Sequence, residues 1–264
     1  MPSIPVDVLH LILEHVDKAS LAKICLLNKV CCPCSQDILY RDIQINGHRF
    51  SNSAKLCKTL SESTHLAKRV LSFEVIDFRF TQRFQIEQEL RKSLQNMTRL
   101  RSLSFDNASY FSTLKGCTFK LDSFSSNGYH PEKALHQFLC SQPGLTDVRM
   151  GTFFSMSDVP EWGPCLPNLT RVTTHFSRLP YIIPNRPVNQ VISYGYNKSV
   201  DLSFFTLSTA PIQKLEIDYI CLYSAPLQPL ASIFPSLTHL TLRPLTENPG
   251  MVSKPFFIYL SIIK

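Results

Sequence analysis

The residues with the clearest chemical potential are the cysteines of Cys31-Cys32-Pro33-Cys34. Cys31 and Cys34 have the Cys-x-x-Cys spacing that can chelate zinc or exchange electrons through a disulfide. In the sequence, no second cysteine pair or paired histidine follows them at ligand spacing, and they fall inside a segment with helical periodicity. We therefore expect packed thiols at this point and no metal site.

Other catalytic signatures are missing from the sequence. The eight histidines are scattered, and the eight glycines form neither a phosphate-binding loop nor a dinucleotide fingerprint. No Gly-x-Ser-x-Gly elbow occurs. The single tryptophan, Trp162, is expected to fill a return loop. The sequence thus predicts a protein that is not an enzyme and that needs no cofactor.

The elements that would carry any binding residues begin with three short helices in the first 43 residues. Pro5 and Asp7 suit a first helical turn, and the apolar residues that follow recur on one helix face. Those residues are Leu9, Ile12, Leu13 and Val16. A second stripe runs from Leu21 to Leu27, and a third helix from Pro33 to Leu39. So short a module buries little core, so it should pack against a partner or the rest of the chain.

This segment resembles the F-box, and the resemblance covers about a sixth of the chain. Residues 4–9 (Ile-Pro-Val-Asp-Val-Leu) and Ile12-Leu13 match the first element of the family, and residues 26–29 (Leu-Leu-Asn-Lys) match the next. Residues 39–43 (Leu-Tyr-Arg-Asp-Ile) are similar to fungal members. Ile4 stands where Leu is usual, and Cys31-Cys32 stands where an aromatic residue is frequent.

The resemblance implies a function and a set of contact residues. An F-box docks on the Skp-family adaptor of an SCF-type (cullin-RING) ubiquitin ligase, so the chain would be a non-catalytic receptor subunit that also binds a protein substrate. By the same resemblance, the adaptor-binding residues are Ile4, Pro5, Val8, Leu9, Ile12, Leu13, Leu21, Leu27 and Lys29.

After residue 66 the chain becomes repetitive. Pro-x-Leu-Thr recurs at 143–146, 167–170 and 235–238, and the leading apolar positions fall at 100, 121, 145, 169, 188, 212 and 237. This pitch is typical of leucine-rich repeats, each with one strand and a helical or irregular return. The segments resemble the irregular repeats that follow many F-boxes. An ordinary α/β domain with alternating strands and helices is the alternative.

Together these features predict an α/β protein with an N-terminal three-helix F-box module followed by an irregular leucine-rich-repeat solenoid. The expected boundaries are 1–45 for the F-box, 46–65 for a linker helix, 66–245 for the solenoid and 246–264 for an atypical apolar tail. Amphipathic return helices are expected at 82–97, 131–142 and 226–233, with Phe84 among the buried residues of the first.

The repeats also predict a substrate surface. Residues two, four and six positions after each first apolar residue point away from the core and would line the inner face of the solenoid. The candidate substrate-binding residues are Arg149, Arg171, His175, Lys214, Glu216, Asp218, His239 and Arg243, with Asp147, Thr173 and Thr241 in the same rows. The alternative is that they are merely solvated strand positions.

Charge and cysteine content bound the remaining possibilities. The net charge is +7, and the whole excess lies in residues 41–120, with fourteen Lys/Arg against seven Asp/Glu. We interpret it as a solvated face, with no nucleic-acid partner, although a phosphate-binding stripe is the alternative. Nine cysteines, an odd number, favour free and mostly buried thiols in a reducing compartment. No signal peptide or membrane-length apolar run is recognised, which favours the cytoplasm, the nucleus or both.

The sequence thus favours a substrate receptor that binds a Skp-family adaptor, a cullin scaffold and an unknown protein substrate, with no membrane partner. The first alternative is an adaptor-bound scaffold without a ubiquitylation substrate. A nucleic-acid-associated protein that uses the charge of residues 41–120 is a third hypothesis.

Overall fold

The structure is a computed structural model that describes residues 4–76, 78, 80–106, 108–127, 132–151, 163–195, 201–218 and 232–243. The chain divides into two compact units, Met1–Leu121 and Asp122–Lys264. Among the described residues, the first unit contains the N-terminal helices and three strands, and the second contains six strands. The apolar tail expected at 246–264 lies outside the described residues.

The first unit alternates helices and strands after three initial helices. Its elements are α1 (Val6–Glu14), α2 (Lys18–Leu27), α3 (Cys32–Arg41), β1 (Asp42–Asn46), α4 (Phe50–Glu62), α5 (Thr64–Ala67), β2 (Ser72–Ile76), α6 (Phe80–Asn96) and β3 (Ser102–Phe105). Short 3₁₀ turns occupy 47–49 and 108–114.

The second unit has shorter returns between its strands. Its elements are β4 (Ser123–Ser126), α7 (Glu132–Cys140), β5 (Asp147–Met150), β6 (Arg171–His175), α8 (Leu179–Ile182), β7 (Gln190–Tyr194), β8 (Lys214–Asp218) and β9 (His239–Arg243). Further 3₁₀ turns lie at 176–178 and 203–207.

All strand pairs within each unit are parallel and join neighbours in the chain. In the first unit Ile43 is opposite Phe73, and Phe73 is opposite Leu103. In the second unit the register runs from β4 through β9. Alternate residues of every strand are buried, as the two-residue period of a strand requires. Each sheet therefore has one core face and one face of half-buried and exposed side chains.

Helices α4 and α6 pack on each other and help to bury the core face of the first unit. Ser93 Oγ donates to the carbonyl oxygen of Cys57 at 2.7 Å, and Asn96 Nδ2 donates to that of Leu60 at 3.1 Å. Ile86, Leu90 and Leu94 are buried, as the helical period predicts. Phe84 was expected to be buried with them, but its side chain is 58% exposed, because it falls outside the buried stripe of the helix.

The predicted three-helix module followed by a solenoid is wrong. The described residues instead form parallel strands in chain order within each unit, β1 to β3 and β4 to β9, with helices or 3₁₀ turns between many of them, so only the general α/β class agrees. The first strand begins at Asp42, directly after α3, and a second follows at Ser72. The segment expected as a linker helix forms α4 and α5, and α4 packs on α6. The predicted repeat positions begin at Leu100 and do not include Ile43-Ile45 or Phe73-Val75, whose alternation makes the first two strands.

From residue 100 onward, the apolar spacing located the strands themselves. The seven strands β3 to β9 each begin two residues after one of the predicted leading apolar positions. Among the described residues, none of the helices combines the length and the apolar character that a membrane crossing requires.

Candidate functional site

The most distinctive surface is apolar and lies on the N-terminal helices. Eight of the eleven large apolar side chains that are exposed among the described residues fall between residues 4 and 30. They are Ile4, Val6, Val8, Leu11, Ile12, Leu26, Leu27 and Val30, which we call the docking surface. Leu27 is 84% exposed and Ile12 is 51% exposed. Exposed large apolar groups so concentrated in one short module mark a protein-interaction site more often than a monomeric surface.

The docking surface is supported by a small core among the three helices. Leu13 and Leu21 are buried together with Cys34, and five partly buried residues pack around them. Those five are Leu9, Val16, Ile24, Ile38 and Leu39. Of the expected adaptor contacts, Ile4, Pro5, Val8, Ile12, Leu27 and Lys29 are exposed. Leu13 and Leu21 lie in the interior, and Leu9 is shared between interior and surface.

Polar contacts fix the helices that present this surface. Asp17 caps α2, and its Oδ1 accepts hydrogen bonds from the amides of Ala19 and Ser20, both at 3.0 Å. A side-chain hydrogen bond from Ser20 and, after it, the bonds from these amides lower the pKa of the Asp17 carboxyl, because they stabilise its charged form. Arg41 at the end of α3 donates to Glu14 at the end of α1 at 2.9 Å. The cap stabilises the start of α2, and the ion pair joins the end of α1 to the end of α3.

A second connection ties the module to the strands of the same unit. Arg69 pairs with Asp37 of α3 and also donates to the carbonyl oxygen of Pro33 at 3.1 Å. The amide of Leu71 donates to the carbonyl oxygen of Arg41 at 2.9 Å. The docking surface is therefore carried by helices that are anchored at the start of β2.

The Cys-x-x-Cys motif lies in this module. Cys31 and Cys34 are both free thiols, and Cys34 is buried in the module core. Among the described residues, they are not part of any group whose ligand atoms are close enough to share a metal ion. Cys34 thus packs among the three helices, and Cys31 is half-buried.

The second candidate surface is the non-core face of strands β5 to β9. One row crosses the strands in register and consists of Asp147, Arg171, Gln190, Lys214 and His239. A second row consists of Arg149, Thr173, Ile192, Glu216 and Thr241. We call these residues, together with His175, Tyr194, Asp218 and Arg243, the polar strand face. It contains all of the residues expected to contact a substrate.

The charges of the polar strand face are largely paired. Asp147 lies 3.1 Å from Arg149 and 3.3 Å from Arg171, and Arg171 also donates to Gln190 at 3.1 Å. Arg243 Nε lies 3.4 Å from Glu216 and 3.3 Å from Asp218. Four basic residues meet three acidic ones, so the face is mixed in charge and close to neutral. Lys214 is exposed and has no ion pair among the described residues.

His175 and Tyr194 lie side by side where β6 pairs with β7. His175 Nδ1 accepts from the amide of Ser177 at 3.3 Å and lies 2.7 Å from the hydroxyl of that residue. Partial burial lowers the pKa of His175, and the charge of Arg178 adds to the effect. Burial raises the pKa of Tyr194 to about 12. Both side chains are therefore neutral at pH 7, and they add hydrogen-bonding groups without adding charge.

One contact in the second unit was not expected from the sequence. Cys140 and Cys165 form a disulfide, so the expectation of free thiols is wrong for this pair. The six other described cysteines are free, and Cys221 lies outside the described residues. His136 lies beside the disulfide, and the three residues form a group that could hold a metal ion. His136 and Cys140 have an i, i+4 spacing that could have been noticed, but Cys165 comes from a distant loop.

The basic residues of 41–120 are distributed around the first unit. Arg41 and Arg69 are occupied by Glu14 and Asp37. Arg99, Arg101 and Lys120 line a groove with Thr98 and Thr118. Three cations at one groove are a smaller feature than the phosphate-binding stripe that the alternative hypothesis requires.

Two comparisons with known proteins complete the description of the site. No family model matches the chain, and no curated protein matches it. The resemblance to the F-box therefore rests on the sequence of residues 4–43.

Proposed function

We propose that this chain is the substrate-recognition subunit of an SCF-type (cullin-RING) ubiquitin ligase. In this proposal the docking surface binds a Skp-family adaptor, and the polar strand face binds a protein substrate. The chain itself makes and breaks no bonds. It contributes proximity by holding a substrate near the ubiquitin-transferring subunits, in the cytoplasm or the nucleus.

One observation carries the proposal: the exposed apolar side chains are concentrated in the segment whose sequence resembles the F-box. Burying such a side chain in a complex is worth up to about 1.5–3 kcal/mol. In the free chain Ile12, Leu26 and Leu27 face water, so a partner could recover that free energy. The buried trio Leu13, Leu21 and Cys34 keeps the helices folded while their outer faces remain available.

The polar strand face supports the second half of the proposal. Most of its charges are held by ion pairs within β5 or between neighbouring strands, so these side chains are already ordered before a partner arrives. Ordering in advance lowers the entropic cost of binding. Mixed charge on a nearly neutral surface favours a protein partner with complementary charges over a generic polyanion.

Recovery of interacting proteins tests the proposal. The tagged full-length chain should co-purify with a Skp-family adaptor and a cullin, together with at least one protein whose turnover slows when the chain is depleted. Recovery of the adaptor and cullin without any such protein would favour the adaptor-bound scaffold. Absence of the adaptor from the purified complex would overturn the proposal.

Salt dependence distinguishes the nucleic-acid hypothesis from the proposed receptor function. A nucleic-acid-associated protein that uses residues 41–120 would lose polyanion affinity steeply as salt rises. The proposed receptor should instead keep its adaptor through a salt wash, because apolar contacts dominate the docking surface.

A further inference from the structure

We propose that His136, Cys140 and Cys165 form a zinc site when the Cys140–Cys165 disulfide is reduced. The three ligand atoms lie within 4.8 Å of one another, and all three residues are partly buried. Two thiolates and one imidazole are the donors that zinc prefers in proteins. The site does not depend on the proposed ligase function.

The distances fit one shared ion. His136 Nε2 lies 3.5 Å from Cys140 Sγ and 4.0 Å from Cys165 Sγ. With usual zinc–ligand bond lengths and tetrahedral angles, nitrogen and sulfur ligands of one zinc lie about 3.6 Å apart. The imidazole is thus already near a coordinating position for both sulfurs. Only the two sulfur atoms must move apart after reduction, to about 3.8 Å.

Two elements bring the ligands together. His136 and Cys140 are one turn apart on α7, so they share a helix face. Cys165 lies in the loop before β6, and its Cα is 4.7 Å from that of Cys140. Three protein ligands leave one tetrahedral position, which a water molecule would fill.

The loop that supplies Cys165 is held in place by a buried arginine. Arg186 is 2% exposed, and its guanidinium donates to the carbonyl oxygens of Cys165 at 2.7 Å and of Gly163 at 2.9 Å. Leu166, which follows Cys165 in the chain, has a φ of 59°, a conformation that a leucine rarely adopts. The surrounding structure thus fixes this loop in a specific shape and places Cys165 beside α7.

Zinc binding and disulfide formation exclude each other at this site. A dithiol reductant supplies two electrons and two protons to the disulfide, which becomes two thiols while the reductant becomes a disulfide. Zinc then replaces the two thiol protons, which pass to solvent. A low-molecular-weight disulfide would reverse the process: it accepts the two electrons and takes two protons from solvent to become two thiols, while the Cys140–Cys165 disulfide forms again and the zinc ion is released. Both the disulfide and the bound zinc ion would cross-link α7 to the loop before β6.

Metal binding by the full-length protein tests the site. The chain should first be reduced with a phosphine, so that all nine cysteines react as thiols, and then titrated with zinc. We expect one zinc per chain, and a thiolate-to-metal absorption band when cobalt replaces zinc. The oxidised protein, with two fewer thiols and hence seven, should bind no zinc at this site.

Variants assign the ligands. His136→Ala and Cys140→Ser should each weaken zinc binding by more than about 100-fold, since even the loss of an indirect partner of a metal site costs 10–100-fold. Two controls should bind zinc as the wild type does: the double variant Cys31→Ser/Cys34→Ser and the exposed-histidine variant His65→Ala.

Cysteine protection in the wild-type protein gives a test that does not depend on whether the variants fold. Bound zinc should protect Cys140 and Cys165 from alkylation and leave Cys31 reactive, as read by peptide mass. The proposal is overturned if the reduced wild type binds no zinc. It is equally overturned if zinc binds but is retained by the His136 and Cys140 variants, or if it protects other cysteines instead.

Discussion

Neighbouring side chains in this protein differ in whether they pack in the interior or face water. Leu13 and Leu21 hold three helices together, whereas Ile12 and Leu27 on the same helices face water. In the second unit, Arg186 is one of the packing residues, because it is buried and donates to backbone carbonyl oxygens. The structure specifies the surroundings of Arg186 and His175, and substitutions at these two residues test them.

Replacing Arg186 by Met should destabilise the protein by about 3 kcal/mol, because the carbonyl oxygens of Gly163, Cys165 and Ile182 would lose a buried charged donor. The midpoint of urea unfolding measures this change. Arg186→Lys should not restore the midpoint, since a lysine cannot reproduce the planar fork of donors. The control Arg149→Met removes an exposed arginine and should shift stability by less than about 1 kcal/mol. Equal midpoints for both Met variants would contradict the assigned role.

His175 predicts a pH effect on stability. Its folded pKa lies below the ordinary value of 6.5, because burial and Arg178 disfavour the charged imidazole, although Asp218 opposes them. As the pH falls through 6.5, the unfolded chain gains a proton that the folded chain binds less readily, so stability falls. His175→Asn keeps an acceptor for the amide of Ser177 and removes the titration.

The measurement for His175 is the unfolding midpoint between about pH 7.5 and pH 5, the range in which histidine titrates. The wild type should lose more stability over this range than the Asn variant. Parallel curves for the two proteins would show that the imidazole does not titrate in the way described.

At the scale of helices and strands, the sequence was informative where the period was regular. The spacing of the leading apolar residues located β3 to β9, because each strand needs the same alternation of buried and exposed residues. It missed β1 and β2, where the signal is only two alternating apolar residues next to a helical pattern. Neither the disulfide nor the ion pairs of the polar strand face could be read from the sequence. They depend on which strands become neighbours.

The polar strand face carries a prediction about substrate capture. Lys214→Glu reverses an exposed charge that has no ion pair among the described residues, so the fold should tolerate it. Combined with Arg171→Glu it should reduce recovery of the bound substrate about tenfold or more, while adaptor recovery stays unchanged.

Of the two single variants, Lys214→Glu gives the clearer result, because Arg171 also contacts Asp147 and Gln190 within the protein and its replacement could disturb the fold. Quantitative recovery from cell extracts measures the outcome. Unchanged substrate recovery by the double variant would place the binding surface elsewhere on the chain.

The whole molecule combines an apolar surface early in the sequence with a polar strand face later in the chain. The apolar side chains lie within the first 30 residues, and the polar strand face spans residues 147–243. Such a division suits a protein that binds two different partners. The docking surface was predictable from the sequence in part. Ile4, Val8, Ile12 and Leu27 were expected to contact the adaptor, but the exposed Val6, Leu11, Leu26 and Val30 were not, because only the folded structure shows that these side chains face water.

The most direct test of the account is the affinity of the full-length chain for a purified Skp-family adaptor, measured by calorimetry. The wild type should form a one-to-one complex. Ile12→Asp should weaken it at least tenfold, or about 1.4 kcal/mol, because a carboxylate would be buried without a partner in the complex. The matched control Leu207→Asp changes an equally exposed apolar residue outside the docking surface and should bind as the wild type does. The account is contradicted if the wild type does not bind, or if Ile12→Asp binds as tightly as Leu207→Asp.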